Sequence, residues 1–390
     1  MNVTATVPST FAPIPPGLKG VAVTDTEVGD VRGLEGFYHY RQYSATDLAE
    51  RRSLEDVWRL VLDGSLPEDG PTRDAFRREV RSQRGIPDAV RAMLPGIAAG
   101  ILDAGPLDGL RTALSAIGAA EGLRPLWDVD PDERRRNLIR LAAVTPTLVA
   151  AIHRVSHGLE PVEPDPDLDH AANYLWMVSG ARPDRVAARA LEQYLILTVD
   201  HGFNSSTFTA RVIASTGADA AAAVVGAIGA LSGPLHGGAP SRALDTLDAI
   251  GTADRADAYI RDAIGRGERI MGFGHAVYRT DDPRNVMLRA VAERLGGDLA
   301  DLAVAVEKTI LSVLAEMKPD HPLYANVEYY AGVVMDRCGI PRDMFTATFA
   351  VSRVIGWCAN IAEQAEQRQI IRPAARYVGR VAPEPVPAAP

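Results

Sequence analysis

Histidine, carboxylate and arginine side chains lie in short stretches, glycine-flanked or loop-like, that interrupt apolar helical patterns. Glycine on either side of a histidine lets the backbone approach a ligand closely. Irregular backbone beside a helix terminus also offers N–H donors to an anion. The stretches therefore combine residues of catalytic type with backbone suited to binding an anion. They are Asp200–Asn204, Gly233–Ala239, Gly272–Arg284, Asn326–Gly332 and Phe349–Trp357.

Each of these residues carries little weight alone. A single histidine is more often a hydrogen-bonded structural residue than a catalyst. Gly272-Phe-Gly274 is not a dinucleotide fingerprint, because a third glycine and a strand–turn–helix context are missing. Arg353 lies between Phe349 and Trp357, where a charge needs a partner, which could be a neighbouring acid. The joint occurrence of all the stretches, in this order, indicates an active site.

Composition narrows the class of protein. The chain has 390 residues, enough for one large or two ordinary domains, and its net charge of -9 argues against nucleic-acid partners. Cys338 and Cys358 lie in apolar stretches without metal-ligand spacing, as buried thiols do in a reducing compartment. No signal segment is recognisable, and the longest apolar run, Ala220–Leu231, is too short to span a membrane. We expect a cytoplasmic protein whose residues 1–16 and 382–390 are disordered.

Helical periodicity dominates the rest of the chain. The first clear helix begins at a capping box, Ser53–Asp56, and ends at Gly64. Alternation typical of strands is confined to Gly20–Thr24 and Phe37–Tyr40. We therefore expect a mainly α fold with a small N-terminal β element. Further helices are predicted at 107–121, 132–157, 168–179, 184–199, 218–231, 240–249, 255–265, 284–295, 299–317, 326–338 and 343–365.

The order of the motifs resembles that of the citrate synthase family over nearly the whole chain, most closely the short bacterial type. The resemblance implies a two-domain helical fold, with residues 1–237 and 340–390 in a large domain and 238–339 in a small mobile one. It also implies a homodimer. The matching blocks are Gly-Pro-Leu-His236-Gly-Gly, Gly-Phe-Gly-His275 through Asp282-Pro-Arg284, and Gly339-Ile-Pro through Gly356-Trp357.

The resemblance implies roles for three catalytic residues in joining acetyl-CoA to oxaloacetate. Glu328 is expected to remove a methyl proton from acetyl-CoA. His236 is expected to donate a hydrogen bond to the thioester oxygen, which stabilises the charge as the enol forms. His275 is expected to donate to the keto oxygen of oxaloacetate. Water then hydrolyses the citryl-CoA thioester, so acetyl-CoA is a co-substrate and no permanent cofactor is expected.

The same resemblance assigns residues that hold the substrates. Arginine forks suit the two carboxylates of oxaloacetate, because they bind a carboxylate with two hydrogen bonds. One of the arginines, Arg372, is expected to reach the active site of the other subunit. The expected oxaloacetate residues are His201, Asn204, Arg284, Arg353 and Arg372, and the expected CoA contacts are Arg269, Ile270, Met271 and Gly272.

The sequence departs from the family pattern at the expected base. The family usually has aspartate where this chain has Glu328, and the extra methylene moves the carboxylate by roughly 1.5 Å unless the backbone compensates. An active enzyme, a slow one and a changed acyl preference are all compatible with this difference. Milder departures are Thr198 and Asn360, where histidine is common, and Ala374, where a basic residue often follows Arg-Pro.

Two other functions remain open from the sequence. A 2-methylcitrate synthase uses propionyl-CoA on the same scaffold, and one methylene in an apolar pocket changes binding by only about 1–3 kcal/mol. A paralogue without useful catalysis is favoured by Glu328 alone. A metal centre built from His201, His236, His275 and Glu328 is disfavoured, because their spacing contains no i, i+4 pair and arginines repel a cation. We expect no metal and no membrane or nucleic-acid partner.

Overall fold

The computed structural model describes residues 14–101, 105–234, 236–237, 240–275, 277–319, 323–380, 383 and 385–387. The predicted fold class is confirmed, because helices dominate these residues and one small antiparallel sheet lies near the N-terminus. Residues 1–13 of the expected N-terminal arm and most of 382–390 lie outside the described residues. The described part of the arm begins with exposed residues and enters a 3-10 turn at Pro16–Leu18.

The helices follow one another with short connections. They are α1 (Ala45–Arg51), α2 (Leu54–Asp63), α3 (Gly70–Ser82), α4 (Asp88–Arg91), α5 (Leu94–Ala99), α6 (Pro106–Ala120), α7 (Pro131–Ser156), α8 (His170–Ser179), α9 (Arg185–Thr198), α10 (Ser205–Ala214), α11 (Ala220–Leu231), α12 (Pro240–Ile250), α13 (Ala256–Gly265), α14 (Pro283–Leu295), α15 (Asp298–Met317), α16 (Val327–Arg337) and α17 (Phe345–Gln367).

The predicted helices are confirmed to within a few residues, and one of the two hydrogen bonds of the predicted capping box forms. Ser53 accepts a hydrogen bond from the backbone N–H of Asp56, and Gly64 ends α2 in the left-handed conformation. Several helices were not predicted. Among them, α3 is highly charged and has a short apolar face of Phe76 and Val80, whereas α10 directly follows a candidate catalytic stretch.

Most of the helices before α13 pack against two long central elements, α7 and α17. The inner positions of both are buried, and α17 contacts α2, α7, α9, α10 and α11. By length and composition, α7 is the one helix in the described part of the chain that could cross a membrane. However, 89% of its apolar window is buried against the rest of the protein. Packing in the core therefore accounts for the apolar composition of α7.

The sheet contains β1 (Gly29–Arg32), β2 (Phe37–Tyr40) and β3 (Tyr43–Ser44), paired antiparallel in that order. The strand predicted at Phe37–Tyr40 is confirmed, but the one predicted at Gly20–Thr24 is wrong. Gly20 has a positive φ of 77°, and the Thr24 hydroxyl donates to Gln367 at 3.1 Å. A turn and side-chain contacts to α17 thus replace the backbone pairing of a strand in this segment.

The sheet is held against the end of α9, next to the first candidate stretch. The alternate residues Tyr38 and Tyr40 are buried, as expected for the inner face of a strand. Their hydroxyls donate to the carbonyls of Leu197 and Ile196 at 3.0 and 2.9 Å, respectively. The β element therefore supports the loop that follows α9 and carries His201.

Candidate active site

The candidate stretches surround one cavity of about 940 Å³. Loops after α9 and α11, the loop before α14, the first turn of α16 and one face of α17 all contribute to its wall. Two predicted site residues do not line it, namely Gly272 and Arg372, and Arg372 is exposed. The predicted residues that line it are His201, Asn204, His236, Arg269, Ile270, Met271, His275, Arg284, Glu328 and Arg353.

Arg353 is brought to the cavity by a close approach of α17 to the end of α9. A Cβ atom at Gly356 would lie 2.1 Å from the Val199 carbonyl oxygen, so only glycine allows this approach. Arg353 Nε donates to the Thr198 carbonyl at 2.8 Å, and its Cζ lies 4.6 Å from the centre of the Phe349 ring. Across the described chain, no carboxylate oxygen lies within 4 Å of this guanidinium. An anionic ligand can therefore supply the missing charge.

Asp200 provides longer-range charge compensation for Arg353. The Asp200 carboxylate is buried and accepts hydrogen bonds from the Gly202 N–H at 3.1 Å and from Asn360 Nδ2 at 3.3 Å. Burial raises the pKa of Asp200 to about 6, an effect that the positive charge of Arg353 opposes. Asn360, which departs from the family pattern, thus acts as a donor to this buried carboxylate.

Arg284 is locked by Asp282 at the start of α14. Arg284 Nε and Nη2 donate to the two oxygens of Asp282 at 2.9 and 2.7 Å, which is a bidentate pair. The pair is almost completely buried. Asp282 Oδ2 also accepts the backbone N–H of Val327, at 3.1 Å, from the first position of α16. One carboxylate therefore fixes both an arginine of the cavity and the helix that carries Glu328.

His275 Nε2 and Arg284 Nη2 lie 3.2 Å apart. We call these two nitrogens the donor pair. His275 Nδ1 accepts from the backbone N–H groups of Val277 and Tyr278 at 2.9 and 3.0 Å. Burial, followed by the charge of Arg284, lowers the pKa of His275 to about 4. The ring is thus neutral at pH 7 with its proton on Nε2. Because both members of the donor pair carry hydrogen, they suit an oxygen acceptor placed beside them.

His236 is held by the Ser206 hydroxyl, which lies 2.8 Å from its Nε2 and also 2.8 Å from Asn204 Oδ1. The hydroxyl donates to Asn204 Oδ1, which also accepts the backbone N–H groups of Ser206 and Thr207. Trp357 Nε1 donates to the hydroxyl oxygen at 3.1 Å. These contacts fix the hydroxyl and, through it, the orientation of the His236 ring.

The His236 ring is neutral at physiological pH. Burial, followed by the positive charge of Arg353, lowers the pKa of His236 to about 4. Backbone contacts fix the loop, since the Gly237 N–H donates to the Leu231 carbonyl at 3.0 Å and the His236 N–H donates to Gly233 at 2.9 Å. His236 is therefore an oriented neutral imidazole at the wall of the cavity.

Glu328 occupies the first turn of α16. Asn326 caps this helix, because its Oδ1 accepts the Glu328 N–H at 3.1 Å, while its Nδ2 donates to the Gly274 carbonyl at 2.8 Å. Burial raises the pKa of Glu328 to about 7, and Arg284 opposes this rise. Among the described side chains, none donates to the Glu328 carboxylate. A half-buried carboxylate of this kind suits a general base.

His201 and Asn204 line the cavity but already have partners within the protein. His201 Nε2 lies 3.0 Å from the Tyr278 hydroxyl, and burial lowers the pKa of His201 well below its usual value. Asn204 caps α10, and its Nδ2 donates to the Gly202 carbonyl at 3.2 Å. Thr198 does not orient His201, since its hydroxyl donates to Tyr194 at 2.9 Å and contacts Ser352 at 3.0 Å.

The predicted CoA segment contributes Arg269, Ile270 and Met271 to the cavity wall. Gly272 has another function, because its carbonyl accepts the Asn326 N–H at 2.8 Å and its φ is +83°. A Cβ atom there would also lie 3.0 Å from the Tyr329 side chain. Gly272 therefore joins the segment to the start of α16.

Several residues that act through others were not predicted as site residues. Ser206 and Trp357 orient His236, Tyr278 contacts His201, and Asp282 holds Arg284. The sequence did carry a signal for Asp282, since Asp-Pro-Arg places it before a proline in the first turn of a helix. For Ser206 the signal was weaker, because a serine after Asn204 also suits the start of a helix.

Comparisons with known proteins point to one family. A model of the family described as "Citrate synthase, C-terminal domain" matches residues 17–374. The chain is 39% identical over 378 residues to "Putative citrate synthase 2" of Mycobacterium tuberculosis, covering 96% of this chain and 94% of that protein. It is also 39% identical over 370 residues to the citrate synthase of Haloferax volcanii, covering 93% and 95%.

Solved structures of the same kind superimpose on nearly the whole chain. Citrate synthase from Pyrobaculum aerophilum is 33% identical, with a TM-score of 0.85 over 95% of this chain and 94% of that one. The Thermoplasma acidophilum citrate synthase, solved as a ternary complex with carboxymethyl coenzyme A and oxaloacetate, is 28% identical. Its TM-score is 0.86, covering 95% of this chain and 97% of that one.

Proposed function

Because this chain belongs to the citrate synthase family, whose members are acyltransferases that convert the acyl group into an alkyl group on transfer, we propose that it condenses acetyl-CoA with oxaloacetate. The products are citrate and CoA after hydrolysis by water. The observation that carries the proposal is one cavity that combines the donor pair, a second neutral histidine and a carboxylate, that of Glu328, without a donor among the described side chains. No permanent cofactor takes part in this reaction.

Enolisation of acetyl-CoA is assigned to Glu328 and His236. The Glu328 carboxylate takes a proton from the methyl carbon, while His236 donates a hydrogen bond to the thioester oxygen as negative charge develops there. The raised pKa of Glu328 makes it a stronger base than an exposed carboxylate. His236 remains neutral, so the thioester oxygen is stabilised by a hydrogen bond.

Condensation is assigned to the donor pair. The enol carbon attacks the keto carbon of oxaloacetate, a C–C bond forms, and the electrons of the keto bond move to its oxygen. His275 Nε2–H donates a hydrogen bond to this oxygen, and the adjacent Arg284 adds positive charge. The oxygen takes up one proton, equivalent to the one that Glu328 removed from the methyl carbon, and becomes the hydroxyl of citryl-CoA. Water then attacks the thioester carbon of citryl-CoA, the C–S bond breaks, and the CoA thiolate leaves with a proton.

Binding of the oxaloacetate carboxylates is assigned to Arg353 and Arg284, with His201 and Asn204 in the same wall. Arg353 is supported by its lack of a carboxylate partner among the described residues. Arg372 is exposed and outside the cavity of its own chain. This position supports the proposal that Arg372 completes the site of the second subunit in a homodimer.

We also propose that a domain moves during the reaction. The small domain, residues 238–339, closes over oxaloacetate and thereby completes the CoA site. Arg269, Ile270 and Met271 lie in this domain, and Gly272 supports them. Closure predicts that oxaloacetate tightens acetyl-CoA binding. The cytoplasmic location and the absence of membrane or nucleic-acid partners stay predictions from composition.

A thiol-release assay tests the function. Purified protein is mixed with oxaloacetate and either acetyl-CoA or propionyl-CoA, and free CoA is measured with a thiol reagent. We expect a higher kcat/KM with acetyl-CoA. A higher kcat/KM with propionyl-CoA would identify a 2-methylcitrate synthase, and no oxaloacetate-dependent thiol release with either would favour a binding paralogue.

A further inference from the structure

Two histidines and an aspartate meet outside the catalytic cavity, at the C-terminal end of α7. His153 and His157 are four residues apart, in the last turn of α7 and at its C-cap, so one helix face carries both rings. Their ring centres lie 4.3 Å apart. Asp343 comes from the 3-10 turn Arg342–Met344 before α17, and its Oδ2 lies 3.3 Å from His153 Nδ1. None of the three lines the cavity.

The spacing of the ligand atoms suits a metal ion. One nitrogen from each ring and one carboxylate oxygen all lie within 4.8 Å of one another. Ligands bonded at about 2.0–2.2 Å to a tetrahedral zinc ion lie about 3.3–3.5 Å apart. The separation of 3.3 Å between His153 and Asp343 already matches. His157 is exposed, so a side-chain shift on the order of 1 Å can bring its ring into place.

The hydrogen bonding of His157 prepares it as a ligand. Its Nδ1 lies 2.8 Å from the backbone carbonyl oxygen of His153, which can only accept. In the neutral ring the proton is therefore on Nδ1 and the lone pair is on Nε2. Metal-binding histidines commonly donate their other N–H to a backbone carbonyl, which fixes the tautomer and the orientation of the ring. The exposed position of His157 leaves room for water as a further ligand.

We propose that His153, His157 and Asp343 bind one late first-row divalent cation, of which Zn²⁺ is the reference. Two imidazoles favour such a metal over Mg²⁺ or Ca²⁺, which prefer oxygen ligands. The site departs from the sequence-based expectation of no metal, and it is separate from the catalytic histidines. A bound ion joins the end of α7 to the turn before α17, across 190 positions of sequence. Binding to the folded chain alone stabilises it.

Equilibrium dialysis of the full chain against ZnCl₂, followed by metal analysis, tests this site. We expect one zinc ion per chain. His157→Ala and Asp343→Asn each remove one ligand at an exposed position, so they should fold and bind zinc at least about tenfold more weakly. His275→Ala is the matched control, because it removes a histidine of the catalytic cavity and should keep the zinc ion. His157→Ala should keep the parental thiol-release rate.

Thermal unfolding gives a second readout that does not depend on activity. Saturating ZnCl₂ should raise the Tm of the parent and of His275→Ala by about 3–5 °C. EDTA should reverse the rise, and His157→Ala should show none. The proposal is overturned if the parent binds no zinc, if both ligand variants bind it as well as the parent does, or if His275→Ala loses it.

Discussion

Arg284 Nη2 and His275 Nε2 lie 3.2 Å apart, and both nitrogens carry hydrogen when the imidazole is neutral. Two donors do not bond to each other, so the arrangement is stable only because each group is held by other partners. Asp282 holds Arg284 through two hydrogen bonds, and two backbone N–H groups hold His275 Nδ1. An oxygen acceptor such as a keto oxygen can accept hydrogen bonds from both members of the pair.

Removing one member of the donor pair tests its role. His275→Ala should lower kcat by about 10²–10³-fold, the usual effect of losing a preorganised donor to a developing oxyanion. The CD spectrum and the Tm should change little, since the side chain is only partly buried. Steady-state kinetics of thiol release measures the effect. Full activity in a folded His275→Ala variant would exclude His275 from catalysis.

Asp282 is predicted to act as a positioning residue. Asp282→Asn keeps the size of the side chain but replaces one acceptor oxygen with a donor that faces Arg284 or Val327. Breaking a buried ion pair in this way should destabilise the protein by about 3–5 kcal/mol. It should also raise the KM for oxaloacetate, because Arg284 is no longer fixed. Urea unfolding and kinetics measure the two effects.

The neighbouring Asp281 provides a matched control for Asp282. Asp281 is exposed, so Asp281→Asn should change stability by no more than about 0.5 kcal/mol and leave the KM unchanged. Equal effects of the two substitutions would indicate that local charge, and not the contacts of Asp282 with Arg284 and Val327, determines the result.

If Glu328 is the base, the rate of the reaction should increase with pH. The base must be ionised, so kcat/KM for acetyl-CoA should rise with pH and level off above a pKa of about 7. Below it, the rate should fall about tenfold per pH unit. Glu328→Gln should lose about 10²–10⁴ in kcat together with this limb, whereas Glu328→Asp should keep measurable turnover. A pH profile of Glu328→Gln that matches the parent would exclude Glu328 as the base.

Ionisation of Glu328 should lower the stability of the folded protein as pH rises, whereas it should increase the activity. A pKa raised from 4.5 to about 7 means that the folded state disfavours the ionised form. The loss of stability therefore begins as pH rises above 4.5 and is complete above about 7. Glu328→Gln, which cannot ionise, should stabilise the ligand-free protein by roughly 1–3 kcal/mol at pH 8 and not at pH 4. Urea unfolding at both pH values checks this difference.

Sharing of the active site between subunits predicts complementation. Arg372→Ala and His236→Ala should each be nearly inactive alone. In a mixed dimer, the site of the Arg372→Ala chain has its own His236 and the arginine of the partner, so it carries neither lesion. Co-refolding should restore part of the activity. If subunits exchange and no activity returns, Arg372 does not act across the interface.

Helices and helix caps, which depend on periodic or local sequence patterns, could be predicted from the sequence. Roles of residues that depend on contacts between distant parts of the chain could not. Periodic helices such as α7 and the helix cap at Ser53 follow from side-chain pattern alone. The role of Asp282 depends on Val327, 45 positions away. That contact exists only in the folded chain, so no local sequence pattern predicts it. His153 and Asp343 are likewise joined only by folding.

Local errors have equally physical causes. The alternation at Gly20–Thr24 is typical of a strand, but no neighbouring strand pairs with it among the described residues, and Thr24 instead contacts α17. The helix α10 was missed because its Ser- and Thr-rich start favours caps and turns as much as helix. Asn204 resolves that ambiguity by capping the helix with two hydrogen bonds.

The central claim is that this chain forms a carbon–carbon bond between the methyl carbon of acetyl-CoA and the keto carbon of oxaloacetate. Its most direct test is NMR of the product formed from methyl-¹³C acetyl-CoA and unlabelled oxaloacetate by the purified protein. The account predicts that the label appears in a methylene carbon of citrate, in amounts equal to the thiol released, and that Glu328→Gln forms citrate at least about a hundredfold more slowly. Label that remains in acetyl-CoA, or thiol released with the label in free acetate, would contradict it.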